Sequence, residues 1–256
     1  MNFPPGNPPD IAVTQDTLLG GRLRLAQPAK GHRAGTDAVL LGAAAPQTSG
    51  LIIDVGAGVG TVGLMLALRS EAARIMLLER DPIFAALARQ NADVNALTGR
   101  VTVAETDVLA TLVRRSAGVR NESADVVVTN PPFYDADSGR RSSDPLKQAA
   151  HVIEGTLASW VRACMTLLKP GGTFVLIHRP EALADILPAL GRGMGAVHVW
   201  PIHAKAASAA TRIIIRATKG SRKPLELGPP LILHDETGAF TREAVALHEG
   251  RTLLPA

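Results

Sequence analysis

Two short segments bring together residue types that could do chemistry. One is Asp54-Val55-Gly56-Ala57-Gly58-Val59-Gly60; the other is Asn130-Pro131-Pro132-Phe133. Alternating glycines let a backbone turn tightly and approach a ligand with its N–H groups. Glu79 follows the glycines by about twenty residues, the separation at which a carboxylate can take both hydroxyls of a ribose. Asp107 could accept an adenine amino group; its plain alternative is a surface acid. NAD would place a pyrophosphate at Gly-x-Gly-x-x-Gly, a spacing that Gly63 completes only loosely. Asp54, beside the turn, repels a pyrophosphate but can hold an ammonium group, directly or through water. S-adenosylmethionine (SAM) carries an ammonium and no phosphate, so the pattern favours SAM.

The second segment suits a planar nitrogen nucleophile. An exocyclic amine or amide nitrogen reacts poorly because its lone pair is delocalised. The Asn130 side-chain oxygen and the Pro131 carbonyl can accept its two N–H bonds and aim the localised lone pair at a sulfonium methyl. The planar substrate can then stack on Phe133, which Tyr134 follows. Such a transfer is an in-line displacement. It needs no metal, no covalent enzyme intermediate and no strong base before attack. Asn130, Pro131, Pro132 and Phe133 are therefore the candidate catalytic residues. The tripeptide alone means little, because Asn7-Pro8-Pro9 repeats it with no strand before it. The second copy follows the buried run Val126-Val127-Val128, and open α/β sheets bind ligands at the carboxyl ends of their strands.

The elements that must hold these segments alternate along the chain. Short apolar runs predict strands at 51–55, 75–78, 101–104, 126–128, 173–177, 196–200 and 212–217. Helical patterns cover 38–45, the residues after Gly60 to 68, 82–97, 146–168 and a stretch after Pro180. Asp81 is the expected N-cap of the third, with Pro82 at its first position. Gly20-Gly21, between apolar residues, predicts a short hairpin over 17–25. The expected fold is α/β, a doubly wound, mainly parallel sheet. No linker or repeat divides the chain, so one domain is expected. Residues 1–36 form an arm and hairpin, 37–218 a catalytic core and 219–256 a tail packing on it.

Composition narrows the partners. The chain has 256 residues, 46% hydrophobic, so a sizeable core can be buried. Only 3% are aromatic, which excludes a sheet that stacks several bases or a groove lined with rings. The six rings besides Phe133 and Tyr134 are scattered and receive no functional reading. A formal charge of +4 permits a polyanionic partner without requiring one. The single cysteine, Cys164, excludes an internal disulfide and a cysteine zinc site and suits a reducing cytoplasm. No secretory pattern opens the sequence and no apolar run reaches membrane-spanning length. Arg140, Arg141 and Lys147, then Lys205, Arg212, Lys219, Arg222 and Lys223, could position RNA through phosphates, or form a solvated basic face. His32 and His151 are read as structural rather than catalytic.

The motif order Asp54-x-Gly-x-Gly-x-Gly, Glu79, Asp107, Asn130-Pro-Pro-Phe133 and Leu168-Lys169-Pro170-Gly171-Gly172 resembles class I SAM-dependent methyltransferases that modify planar amino groups. Adenine-N6, guanine-N2 and glutamine-amide branches share Asn-Pro-Pro-aromatic. The segment 31–42, with Thr36-Asp37-Ala38-Val39-Leu40-Leu41, is similar to the Thr-Asp-x-x-Leu-Leu element of bacterial tRNA(Val) adenine-N6 methyltransferases, which act beside the anticodon. The likeness runs over about 17–250. It implies a Rossmann-like fold with an antiparallel last strand, SAM as cofactor and tRNA as partner, with no metal. It also implies Thr36 and Asp37 at the methionine end of SAM; the plain alternative makes them the N-cap of a helix starting near Ala38. With Asp54, Gly56, Gly58, Gly60, Glu79, Asp107 and Asn130, they complete the expected cofactor set. Other acceptors, guanine N2 or a protein glutamine, stay open, as does a silent SAM- or RNA-binding module. Release-factor glutamine methyltransferases would add a helical N-terminal domain and Pro-Arg-x-Glu-Thr, which this sequence does not show.

Overall fold

The computed structural model describes residues 11–30, 33–131 and 156–254. Along β3 (Leu51–Val55), Ile52 packs in one apolar layer, while Ile53 and Val55 pack in the other. That alternation is the two-residue period of a strand covered on both faces. Around β3 the chain builds α1 (Thr36–Ala44), α2 (Thr61–Arg69), β4 (Arg74–Glu79), α3 (Pro82–Val94) and β5 (Val101–Glu105). It continues through α4 (Thr111–Ser116), β6 (Ala124–Thr129), α5 (Leu157–Leu167), β7 (Leu168–His178) and α6 (Leu183–Leu190). The last elements are β8 (Met194–His203), β9 (Ala210–Lys219), β10 (Glu226–Leu227), β11 (Leu231–Ile232) and α7 (Arg242–His248).

β3 pairs in parallel with β4 and β6, β4 with β5, and β6 with β7. β9 lies antiparallel between β7 and β8, as expected of the last long strand. The order is β10-β8-β9-β7-β6-β3-β4-β5, with β11 also on β8. From β3 the chain moves outward through β4 and β5, then returns to the other side of β3 as β6. Strand order reverses there, so a crevice opens beyond the carboxyl ends of β3 and β6. One face of the sheet buries α1, α2, α3 and α7; the other buries α5 and α6.

A two-stranded hairpin, β1 (Val13–Leu18) with β2 (Leu23–Pro28), stands apart from this sheet. Leu23 and Leu25 are fully buried. The free edge of β2 is satisfied by side chains of α3. Asn91 Oδ1 accepts from Ala26 N at 2.7 Å, and its Nδ2 donates to Ala26 O and Val59 O, both at 3.0 Å. Asn95 repeats the pattern one turn on, with Arg24 N at 3.0 Å and Arg24 O at 2.7 Å. A helix thus substitutes for a third strand.

Several expectations need correction. β7 begins at Leu168 rather than after the Pro-Gly-Gly turn. Its pairing jumps from Ala124↔Leu168 to Val126↔Thr173, so 169–172 form a bulge with Gly171 at φ +78°. β8 and β9 run longer than 196–200 and 212–217. α3 stops at Val94, and Ala96 turns left-handed at φ 57°. The helix at 146–168 is seen as α5, capped by Thr156 Oγ1, which accepts from Ser159 N at 3.2 Å; 146–155 lie outside the described residues. The tail does more than wrap the surface, because β10 and β11 extend the sheet and α7 packs on α1. α4 is also new.

Asn91→Ala leaves Ala26 N and Val59 O without side-chain partners in a buried place. We expect a loss of about 2–4 kcal/mol in urea unfolding with an unchanged m-value.

Candidate active site

The crevice at the strand reversal contains an open cavity of about 260 Å³. Its wall includes Thr36 and Asp37 from the start of α1, Asp54, Gly56 and Gly58 from the β3–α2 turn, and Asn130 beyond β6. These six expected site residues are brought together. Gly60, Glu79 and Pro131 adjoin that wall without lining it, and Asp107 is not among the lining residues. Pro132, Phe133 and Tyr134 lie outside the described residues, as do Arg140, Arg141, Lys147, His32 and His151.

The turn after β3 is held from two sides. Gly56 N and Ala57 N both donate to Leu78 O at 2.9 Å, which folds the loop over the end of β4. Glu79 is buried under it. Its Oε2 accepts from Gly58 N at 2.7 Å and its Oε1 from Asp81 N at 2.9 Å. Each oxygen keeps a second lone pair that a hydroxyl donor can use. Asp107 sits where Thr106 N reaches Glu79 O at 2.9 Å, and its own Oδ1 accepts from Leu109 N at 2.8 Å. Gly60 is left-handed at φ 87°, with Leu77 Cδ1 only 2.9 Å from where a Cβ would stand. A side chain there would be strained by conformation and contact alike.

Asp54 is the buried charge of the site. Strand alternation turns it toward α2, where its Oδ2 accepts from Gly63 N at 2.8 Å. Gly63 N is one of the unpaired donors of a helix N-terminus, so Asp54 caps α2 from the preceding strand. Burial nevertheless pushes its carboxyl up to about 7. The Gly63 N–H opposes that rise, and the Glu79 charge adds to it.

α1 begins at Thr36, with Gly35 as its N-cap and no side-chain capping bond, so neither Thr36 nor Asp37 is the N-cap. Thr36 Oγ1 lies 3.2 Å from His248 Nε2, and Asp37 Oδ2 accepts from Arg212 Nε at 2.8 Å. The loop before α1 is tied to the hairpin. Ala34 N donates to Gln27 Oε1 at 2.7 Å, and Arg33 pairs with Asp16 at 2.7 Å. Among the basic residues considered for RNA, Arg212 and Lys219 hold Asp37 and Glu122, whereas Lys205, Arg222 and Lys223 are exposed.

Three rings read as scattered have places here. Phe84 lines the cavity, reached through the Asp81 cap whose Oδ1 accepts from its N at 3.2 Å. Trp160 Nε1 donates to Thr129 Oγ1 at 2.9 Å, and that hydroxyl donates to Val55 O at 2.8 Å. The relay locks the ends of β3 and β6 together directly before Asn130. The Trp160 ring lies 3.0 Å from where a Gly56 Cβ would stand. Phe240 stacks on His234 and makes a tilted ring contact with His248. Only the position of Phe84 beside a helix start offered a signal in the sequence.

Comparison with known proteins decides what this arrangement belongs to. Residues 32–205 match the family model described as the methyltransferase small domain. The chain belongs to that family. The chain is also similar to two relatives named tRNA1(Val) (adenine(37)-N6)-methyltransferase. The one from Aeromonas hydrophila is 32% identical over 84% of this chain and 88% of its own. The one from Porphyromonas gingivalis is 32% identical over 85% and 87%. A solved Agrobacterium tumefaciens structure, described as a predicted O-methyltransferase, superposes with a TM-score of 0.71 at 32% identity, covering 85% of this chain and 97% of that one. The protein is thus a SAM-dependent methyltransferase with the class I fold. The donor set of the methyltransferase crevice fits SAM: a buried carboxylate with no cation partner among the described residues, a hydroxyl acceptor, and Glu79 with lone pairs to spare. Among the described residues no helix is long and apolar enough to cross a membrane.

Raised above its unfolded value, Asp54 stabilises the ligand-free fold at low pH, and that contribution is lost as pH rises through about 7. A bound ammonium reverses the preference and favours the ionised carboxylate. SAM affinity should therefore tighten by about fivefold to tenfold from pH 6 to 7.5. Asp54→Asn should remove that slope, which calorimetric titration at both pH values reads directly.

Proposed function

We propose that this chain transfers the methyl group of SAM to the N6 amino group of an adenine in tRNA, acting in the cytoplasm as a single methyltransferase domain without a metal. The observation that carries the reading is Asn130, on the wall of the same cavity as Asp54 and the glycine turn. The printed names of the Aeromonas and Porphyromonas relatives supply the substrate. In this arrangement Thr36, Asp37 and Asp54 face the methionine end of SAM. Glu79 takes the ribose and Asp107 the adenine of the cofactor. Gly56, Gly58 and Gly60 let the backbone close on it.

The acceptor is then held by Asn130 Oδ1 and the Pro131 carbonyl, each taking one N–H of the amino group. Holding both hydrogens in one plane fixes the nitrogen in line with the methyl–sulfur bond. Pro132 belongs to the same motif, and in this reading Phe133 is the ring on which the base stacks. SAM would supply an electrophilic sulfonium methyl group, its carbon–sulfur bond breaking as the new carbon–nitrogen bond forms. The amino group then carries a positive charge and loses a proton readily, so no strong base is needed beforehand. A hydroxyl acceptor, which the description of the Agrobacterium structure suggests, would instead need a base during attack. The two carboxylates of the described wall are poorly placed for that task. Asp54 holds a helix N–H, and Asp37 is ion-paired with Arg212.

The test incubates the enzyme and labelled SAM with RNA from a strain lacking the gene. Nuclease and protease treatment identify the labelled polymer, and mass spectrometry identifies the methylated nucleoside. N6-methyladenosine in the tRNA fraction is expected, with transfer about 10²-fold slower for Asn130→Ala. Equal transfer by both proteins, or label held in protein, overturns the reading.

A further inference from the structure

We propose that His248, far from the glycine turn in sequence, is a positioning residue that sets the hydrogen-bond polarity of Thr36 toward the ammonium group of SAM. This rests on the reading that the cavity holds the methionine end of SAM.

The argument starts from proton placement. His248 Nδ1 lies 2.8 Å from Ala244 O. A carbonyl can only accept, so Nδ1 carries the hydrogen. A neutral imidazole has one N–H, and Nε2 is therefore an acceptor. Nε2 is 3.2 Å from Thr36 Oγ1, so the threonine hydroxyl donates to it. With its hydrogen committed there, Thr36 offers every other partner only oxygen lone pairs.

That polarity matters because Thr36 lines the cavity and an ammonium group brings only donors. A hydroxyl free to rotate would spend part of its time turning its own hydrogen toward that cation. Of the nearby carboxylates, Asp37 is already paired with Arg212, and Asp54 spends one oxygen on Gly63 N, leaving its other oxygen for the same ammonium. Thr36 is thus the wall acceptor whose orientation another side chain controls.

The imidazole is held firmly enough to do this. Its ring lies 4.6 Å from that of Phe240 in a tilted contact, and Phe240 also stacks on His234 at 4.7 Å. His234 Nδ1 in turn lies 3.2 Å from Ala204 O. Phe240 is 42% exposed and is held in this ladder by its ring contacts with both histidines. The ladder runs from the β8–β9 connection to the N-terminus of α1.

Calorimetric titration of SAM into wild type, Thr36→Val, His248→Phe and the double variant tests the coupling. Each single change should weaken binding roughly fivefold to tenfold. The double variant should bind within about twofold of Thr36→Val, because the two residues act on one contact. Thr36→Ser should bind within about twofold of wild type. In methyl transfer to total tRNA, His248→Phe should raise KM for SAM and leave kcat at saturating SAM within about twofold. Additive losses in the double variant overturn the proposal. Nitrogen NMR of wild-type histidines gives a readout independent of any variant's folding: the Nδ1–H tautomer is expected at His248, and an Nε2–H tautomer overturns it. Failure of the wild type itself to bind SAM is a different result. It removes the reading of the cavity, and the proposal with it.

Discussion

The site depends on a carboxylate buried at the end of the central strand. Strand alternation turns Asp54 toward α2, and the helix is placed to meet it. Gly63 allows that approach: an added Cβ would stand 2.2 Å from Leu77 Cδ2 and 3.3 Å from Asp54 Oδ2. With no Cβ, α2 settles onto β4, and its third N–H reaches the carboxylate. The left-handed conformations at Gly56, Gly58 and Gly60 follow from turning the chain through so tight an exit. One hydrogen bond to a helix N-terminus offsets only part of the desolvation of a carboxylate. The ligand-free site therefore holds an electrostatic demand for a cation, and its geometry determines which part of a ligand can meet it.

Several segments that wall the crevice are tied back by polar bonds that do no chemistry themselves. Asn91 joins the hairpin to the glycine turn through Ala26 and Val59. Gln27 joins the hairpin to the loop before α1. The Trp160–Thr129–Val55 relay joins α5, β6 and β3 just before Asn130. Each chain of bonds ends on a main-chain group, so the same contacts that stabilise the fold also fix the loops. Arg69 has a related duty, donating to Gly42 O and Ala45 O at the end of α1. Its burial lowers the guanidinium pKa to about 10.

The sequence made the fold legible where periodicity and turn chemistry coincide. Continuous apolar runs marked β3, β4, β5 and β6, and Asp81-Pro82 marked the start of α3, because local sterics and capping decide those features. The glycine turn and Asn130 were legible because their chemistry is local as well. Roles created by distant contacts were not. His248 meets Thr36 across 212 residues, and nothing in either local pattern announces it. Trp160 resembles any core ring on an amphipathic helix until its indole N–H is seen on Thr129. β10 and β11 have two residues each, too few for a period to show, and they exist because β8 offers an edge. Counting rings also misled: scarcity argued correctly against a stacking platform but could not tell that Phe84, Trp160 and Phe240 stand at the crevice or on its supports.

Dividing the labour between these groups has a consequence for catalysis. In the proposed arrangement Asp54 and Thr36 act on the ammonium of SAM. That group is unchanged by the reaction and remains on the demethylated product. Their contribution is uniform binding, equal in the ground state and the transition state, and it lowers KM without accelerating methyl transfer. The sulfonium charge is what disappears as the methyl leaves, and the charge that develops is on the acceptor nitrogen. Only groups touching that nitrogen can bind the transition state better than the substrate, and these are the Asn130 oxygen and the Pro131 carbonyl. The relay through Trp160 and Thr129 is attached directly to that loop, whereas the His248 ladder is attached to the cofactor end. In that arrangement two separate supports serve the site, one holding the donor and one aiming the acceptor, so disturbing either should leave a different kinetic signature.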